Sequence, residues 1–254
     1  MQYIKYFFRA KDEHFIQAPF LYHFYLKVLK NASQNADFQL VEIIRKQLFK
    51  NNSAVGNFDL GAGTRTNVNS KSVRKLAHTS ISSPKKCRLL FNIIQYFNYS
   101  TIVEVGTSLG VATAYLAMAN EKAKIFSLEG NKDLIREAEK VKKALNLGNI
   151  EFILGNFDQT LPELLNNQKE KIDFVFLDGN HQFEPTIKYF ELMLPHLHDN
   201  SILIIDDIYW SEEMTKAWAT ICSNLLVTIS LDLYSLGILF FSTKYSKQHF
   251  VLKY

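Results

Sequence analysis

Cysteine is almost missing from this chain: Cys87 and Cys222 are the only two, and they lie far apart. That excludes a disulfide framework and a cysteine-based metal cage, and leaves two small core-filling thiols in a reducing compartment. Long apolar runs are missing as well. No stretch approaches the roughly 18 residues of a membrane-spanning helix. The opening MQYIKYFFRAKDEH has too short and interrupted an apolar segment for a signal peptide. A cytoplasmic protein without a membrane partner is the expectation. A net charge of +4 by itself implies no nucleic-acid partner. Internal repeats and low-complexity segments are absent too. Acid is missing locally. No Asp or Glu lies between Asp59 and Glu104, an interval that holds Arg65, Lys71, Arg74, Lys75, Lys85, Lys86 and Arg88. Such a run is either a solvated face or a basic lid that attracts an anionic acceptor. Apolar side chains are plentiful, at 47% of 254 residues, enough for one large core or a core with a small appendage.

Periodicity divides the chain. Before residue 98 it reads as mainly helical, with apolar residues at helical spacing over 18–31 and 38–51, a basic helix over 70–80, and a helix over 84–97 opened by Pro84. Beyond Ser100 strand and helix alternate. Strands are expected near 101–106, 124–129, 150–155, 172–178, 201–206, 226–232 and 236–242, and helices near 110–120, 131–146, 159–167, 184–197 and 211–223. Alternation of this kind predicts an α/β fold with a doubly wound, mostly parallel sheet. The last two strands meet around LDLYSLG, with no room for a helix, so they must pair antiparallel.

Residues 101–130 carry the most chemistry. TIVEV is a β-branched strand, Gly106 and Gly110 flank a turn, VATAYLAMAN opens as a helix, and KIFSLE is a second strand ending on Glu129. Glycines there let backbone approach a ligand closely. An acid about 20 residues beyond such a turn is placed to accept hydrogen bonds from ribose hydroxyls. The pattern Glu104-x-Gly106-x-x-x-Gly110 has one glycine fewer than a dinucleotide fingerprint and an acid on the strand itself. That combination suits a cofactor with a cationic amino-acid end in place of phosphates. A second glycine turn, FDLGAGTRTN at 58–67, is followed by polar, basic sequence with no apolar helix. It reads as an N-terminal lid, an active-site loop or a plain surface turn.

The ordered motifs resemble the class I S-adenosylmethionine-dependent methyltransferases, nearest to the catechol and caffeoyl-CoA O-methyltransferase type. SSPKKCRLLFNIIQYF is similar to the helix before that family's first strand, with Cys87 where a glycine is usual. IEFILGNF, IDFVFLDGNH and SILIIDDIYW stand where its third, fourth and fifth strands do. The resemblance implies a Rossmann-like, seven-stranded sheet with a terminal antiparallel hairpin. It also implies a helical extension or lid at 1–98, a methyltransferase domain at 99–243 and a tail at 244–254.

On this resemblance, Glu104, Gly106, Thr107, Ser108 and Gly110 surround the methionine end of the donor, with Glu129 and Gly130 at the ribose. Asn156 and Phe157 sit beside adenine, and Asp178 borders the cofactor. His181 stands where relatives carry a catalytic lysine, and imidazole takes a hydroxyl proton near neutral pH without strong tuning. Asp178, Asp206 and Asp207 are the implied ligands of a Mg²⁺-like ion. Tyr209, Trp210 and Tyr234 are candidate walls of the acceptor pocket.

Each residue also has a plainer reading. Glu129 is suited to a helix N-terminus, Asn156 and Phe157 to a turn and a core aromatic, and His181 and the paired aspartates to helix capping. The leading reading is methyl transfer to a hydroxyl of a small molecule, an anionic one if the basic run is a lid. Nucleic-acid methylation is disfavoured because Asp178-Gly-Asn-His replaces the Asn/Asp-Pro-Pro-aromatic turn that base-amino chemistry needs. A non-catalytic donor-binding module stays open as well, and the Phe- and Tyr-rich N-terminal helices suit a homodimer.

Overall fold

The computed structural model describes residues 2–30, 38–56 and 71–254; the 58–67 glycine turn lies outside them. Two compact units form, one from Met1–Asn31 with Leu164–Tyr254, the other from Ala32–Glu163. The helical extension is therefore divided between the units. Its first helices, α1 (Gln2–Arg9) and α2 (Pro19–Phe24, continued by a π-helical turn over Tyr25–Leu29), group with the C-terminal part of the chain.

In the second unit, α3 (Gln39–Leu48) leads to a short antiparallel pair, β1 (Ala54–Val55) and β2 (Lys71–Ser72). Helices α4 (Val73–Ser80) and α5 (Pro84–Phe97) follow. Pro84 occupies the first turn of α5, Ser83 caps it by accepting the Lys86 N–H, and Asn98 ends it in the left-handed region at φ 54°. Next come β3 (Thr101–Val105), α6 (Val111–Ala119), β4 (Lys124–Glu129), α7 (Lys132–Ala144) and β5 (Ile150–Leu154), whose strands pair in parallel in the order β3-β4-β5. α6 is apolar on every face and buried from Val111 to Ala117, as a helix enclosed by its neighbours must be. Cys87, where the resemblance implies a glycine, is explained by its packing partners in α5's surroundings. Its buried thiol accepts from the equally buried Arg45 (3.4 Å), which also donates to the Ser82 carbonyl (2.5 Å) and pairs with Glu42 (3.1 Å). Burial raises the thiol to about 11, so it stays a neutral packing group.

α8 (Phe157–Asn167) crosses into the first unit. There the chain forms β6 (Ile172–Leu177), α9 (Phe183–Met193), β7 (Leu197–Asp206), α10 (Glu212–Ser223), β8 (Ile229–Asp232), β9 (Leu236–Phe240) and β10 (Gln248–Val251). β6 and β7 are parallel, β9 runs antiparallel to both β7 and β8, and β10 adds parallel to β8. The expected α/β class and antiparallel β8–β9 hairpin are present. The expected count of seven strands is exceeded by β10, which lies in what reads as a tail. QHFV is too short and polar at one end to announce a strand, and it is held by the unsatisfied edge of β8. Tyr25 donates to the Lys253 carbonyl (3.2 Å), Tyr6 donates to that of Leu252, and Phe24 meets Phe240 edge-on at 5.3 Å. Among the described residues no helix is long and apolar enough to cross a membrane.

Gly237 matters for a steric reason. A Cβ at this position of β9 would lie 2.4 Å from the Trp218 ring. Gly237→Ala is expected to lower stability by about 1–3 kcal/mol through overpacking. Gly148→Ala, where nothing stands within 4 Å, is expected to be close to neutral. Urea denaturation midpoints of the two variants check this, and equal midpoints would contradict it.

Candidate functional site

The parallel pairing of β3 with β4 sets Glu104 opposite Ser127 and brings both strand ends to one place. The chain leaves β3 through Gly106 at φ 105°, Ser108 at φ 50° and Gly110 at φ 75°. Three left-handed residues in five make a turn that few side chains tolerate. Gly110 has a second constraint, because a Cβ there would sit 2.7 Å from that of Ala138 on α7. Ser108 is not a glycine, and its strained backbone is compensated. Its N–H donates to Glu129 Oε2 at 2.8 Å, and the Asn131 N–H donates to Oε1 at 3.0 Å. Gly106 and Thr107 donate backbone N–H groups to the Leu128 carbonyl, and Gly155 to the Glu129 carbonyl. The glycine turn, the acid closing β4 and the loop after β5 thus share one corner of this unit.

Glu104 is fully buried. Its Oε2 accepts from Thr113 (2.5 Å) and Ser127 (2.6 Å), while Oε1 has no partner among the described residues. The Thr107 hydroxyl extends this network, 2.5 Å from that of Ser127 and donating to the Leu128 carbonyl at 3.2 Å. Burial raises the Glu104 carboxyl to about 7, against the opposing hydrogen bonds of Ser127 and Thr113, with Glu129 adding to the rise. Burial also raises Glu129, opposed by the N–H groups of Ser108, Asn131 and Gly130. Two desolvated acids with no cation among these contacts form a site that a positively charged ligand completes. An orphaned carboxylate oxygen at the strand end fits the ammonium of a methionine-type group, and Glu129 retains lone pairs for hydroxyl donors.

Asn156 uses its side-chain oxygen to accept the Asp158 N–H (2.9 Å) at the start of α8, and Phe157 is buried. Both contacts fit the plainer reading of a turn and a core aromatic. Sequence reasoning missed Thr113, Ser127 and Asn131. Ser127 was findable, since it lies two residues before Glu129 on the same face of β4. Asn131 Nδ2 donates to the Gly56 carbonyl (3.0 Å) and Asp133 accepts the Gly56 N–H (2.9 Å), a link from a distant segment that no local pattern announces.

The other unit holds the remaining candidates. His181 Nε2 is 3.5 Å from Asp178 Oδ1, beyond β6, and Asn180 between them is left-handed at φ 63°. Among the described residues no group of three His, Cys, Asp or Glu side chains is arranged to hold a metal. The expected Asp178, Asp206 and Asp207 set is therefore not drawn together as such a group. Asp206 ends β7 as a buried residue opposite Leu236, whereas Asp207 leaves the strand at φ 50° and gives its N–H to the Ser235 carbonyl. Tyr209 and Tyr234 stack at 5.6 Å, and both bond Asp232, Tyr209 through its hydroxyl (2.5 Å) and Tyr234 through its N–H (2.9 Å). Trp210 stands apart, 72% exposed.

Residues 103–208 match the family described as a methyltransferase domain. Over this segment the chain is similar to a methyltransferase domain. An uncharacterized protein of Acanthamoeba polyphaga mimivirus is 26% identical over 135 residues, which cover 49% of this chain and 60% of that protein. The chain thus aligns with less than two thirds of that relative. Among solved structures, the SAH-bound methyltransferase of Podospora anserina has a TM-score of 0.63 at 15% identity, covering 89% of this chain and 97% of its own. An O-methyltransferase from Bacillus cereus in complex with SAH has a TM-score of 0.56 at 19% identity, covering 64% and 83%. These likenesses establish the methyltransferase fold.

A raised acid sets the sign of a pH effect. Between its ordinary value of 4.5 and about 7, Glu104 is protonated in the folded chain and ionised in the unfolded one. Stability therefore falls as pH rises through that window. Urea denaturation at pH 5 and pH 8 is expected to show wild type losing on the order of 2–3 kcal/mol more than Glu104→Gln. Parallel pH dependence in the two proteins would contradict the assignment.

Proposed function

We propose that this protein is an S-adenosylmethionine-dependent methyltransferase acting on a hydroxyl oxygen of a small molecule. The single observation that carries the reading is the corner where the Gly106–Gly110 turn bonds Glu129 beside the buried, half-satisfied Glu104. When bound, the donor supplies a sulfonium methyl, which forms a C–O bond as its C–S pair leaves with a neutral thioether. Little acid chemistry is then needed at the donor, and the protein's work is positioning. Glu104 complements the donor's positive end, Glu129 and Gly130 hold the ribose, and Thr107 and Ser108 line the turn. Asn156 and Phe157 bound the adenine side. His181 takes the acceptor's proton, with Asp178 orienting the imidazole and stabilising the charge it gains. No step is assigned to a metal ion. A cytoplasmic setting belongs to the same reading.

Calorimetry is expected to show saturable binding of S-adenosylmethionine, weakened at least tenfold by Glu129→Ala. Affinity is expected to rise with pH through about 7, because a cationic ligand favours ionised Glu104 and its binding releases that proton. Titrations in two buffers of different ionisation enthalpy detect the release. A well-folded sample that binds neither the donor nor its demethylated product would remove the proposal.

The acceptor is sought by transfer of labelled methyl to a panel of phenols, carboxylates and amines. Phenols are the expected substrates, and His181→Ala is expected to lower kcat by roughly 10²–10⁴ with donor binding unchanged. A blank panel alongside intact donor binding would favour a non-catalytic module.

A further inference from the structure

Within the unit of residues 1–31 and 164–254, a pocket of about 420 Å³ opens between α1, α10 and the edge strand β10. Tyr6, Arg9, Tyr209, Thr215, Trp218 and His249 line it. None of these is a residue assigned to donor binding or proton transfer. The size lies within the roughly 300–1,000 Å³ of small-molecule sites. One stripe of α10 supplies the floor, since residues 215, 218, 219 and 222 recur at helical spacing.

The walls are fixed in advance. Trp218 is buried and fills the space that Gly237 leaves open. The polar tips of the aromatic residues are already engaged with protein: the Tyr209 hydroxyl donates to Asp232, the Tyr6 hydroxyl to the Leu252 carbonyl, and His249 Nδ1 meets Ser230 Oγ at 2.8 Å. What they offer a ligand is therefore mostly ring surface. Arg9 is the contrast. It is exposed, and it forms no ion pair among the described residues. No carboxylate lines the pocket, and the buried Asp232 behind Tyr209 is capped by that hydroxyl and by the Tyr234 N–H. Rings with one unpaired guanidinium complement a flat apolar ligand bearing one negative group.

We propose that this pocket binds a small aromatic carboxylate, its ring against Trp218, Tyr6 and Tyr209 and its carboxylate paired with Arg9. The site is independent of the methyl-transfer reading. It would give the protein a second small-molecule site of opposite charge preference to the acidic donor corner.

The test is calorimetric titration of the full chain with 1-naphthoate and with its neutral twin 1-naphthamide. Wild type is expected to bind 1-naphthoate at one saturable site, with 1-naphthamide at least tenfold weaker. Arg9→Gln is expected to lose tenfold or more, and Ala219→Trp, which fills the pocket from an exposed position of α10, to abolish binding. Circular dichroism and melting curves establish that both variants fold. Absence of saturable 1-naphthoate binding overturns the proposal. So does binding that either variant leaves intact, or that the amide matches.

Discussion

The bond from the Ser108 N–H to the Glu129 carboxylate, 2.8 Å long, is the contact on which the rest of this site depends. It joins the turn after one parallel strand to the acid that closes the next, so two ends remote in sequence become one surface. Charge-assisted bonds of this kind are about twice as strong as neutral ones. This one offsets the cost of a non-glycine residue held at φ 50°. The Gly155 N–H on the Glu129 carbonyl brings in the loop after the third strand. Sequence thus acts through backbone geometry: glycines where the chain must turn left-handed, an acid where the freed N–H groups point.

Beside that corner lies a charge arrangement that does nothing for stability. Glu104 is buried with one oxygen unsatisfied, and its two hydroxyl donors only partly compensate the loss of water. A leucine or glutamine would fold more easily there. Strain and unmet charge gathered at one point are what a site built for a cationic ligand requires before the ligand arrives. Arg45 gives a useful comparison within the same unit. It is buried too, but Glu42, Ser82 and Cys87 all meet it, and it holds helices together with no chemistry left over.

Much of the fold was legible because its signals are local. Alternating apolar strands and helices, Pro84 at a helix start and the two glycines around the turn are each decided by neighbouring residues. Gly106, Gly110, Glu104 and Glu129 could be singled out for the same reason. The misses are non-local. β10 exists because β8 has a free edge, and Gly56 reaches Asn131 and Asp133 across 75 and 77 residues. Cys87 looked like a departure from its family, yet it is explained by Arg45, 42 residues away. Sequence can set Asp206 and Asp207 side by side at a strand end, but it does not reveal that Asp207 leaves the strand in the left-handed region.

The central claim is that the turn after the first parallel strand and the acid closing the second form one donor-binding surface. Amide NMR of the full chain titrated with S-adenosylhomocysteine tests it most directly. The account predicts saturable shifts concentrated at Gly106, Thr107, Ser108, Gly110 and Glu129–Asn131. Shifts that spare those amides while others move would contradict it.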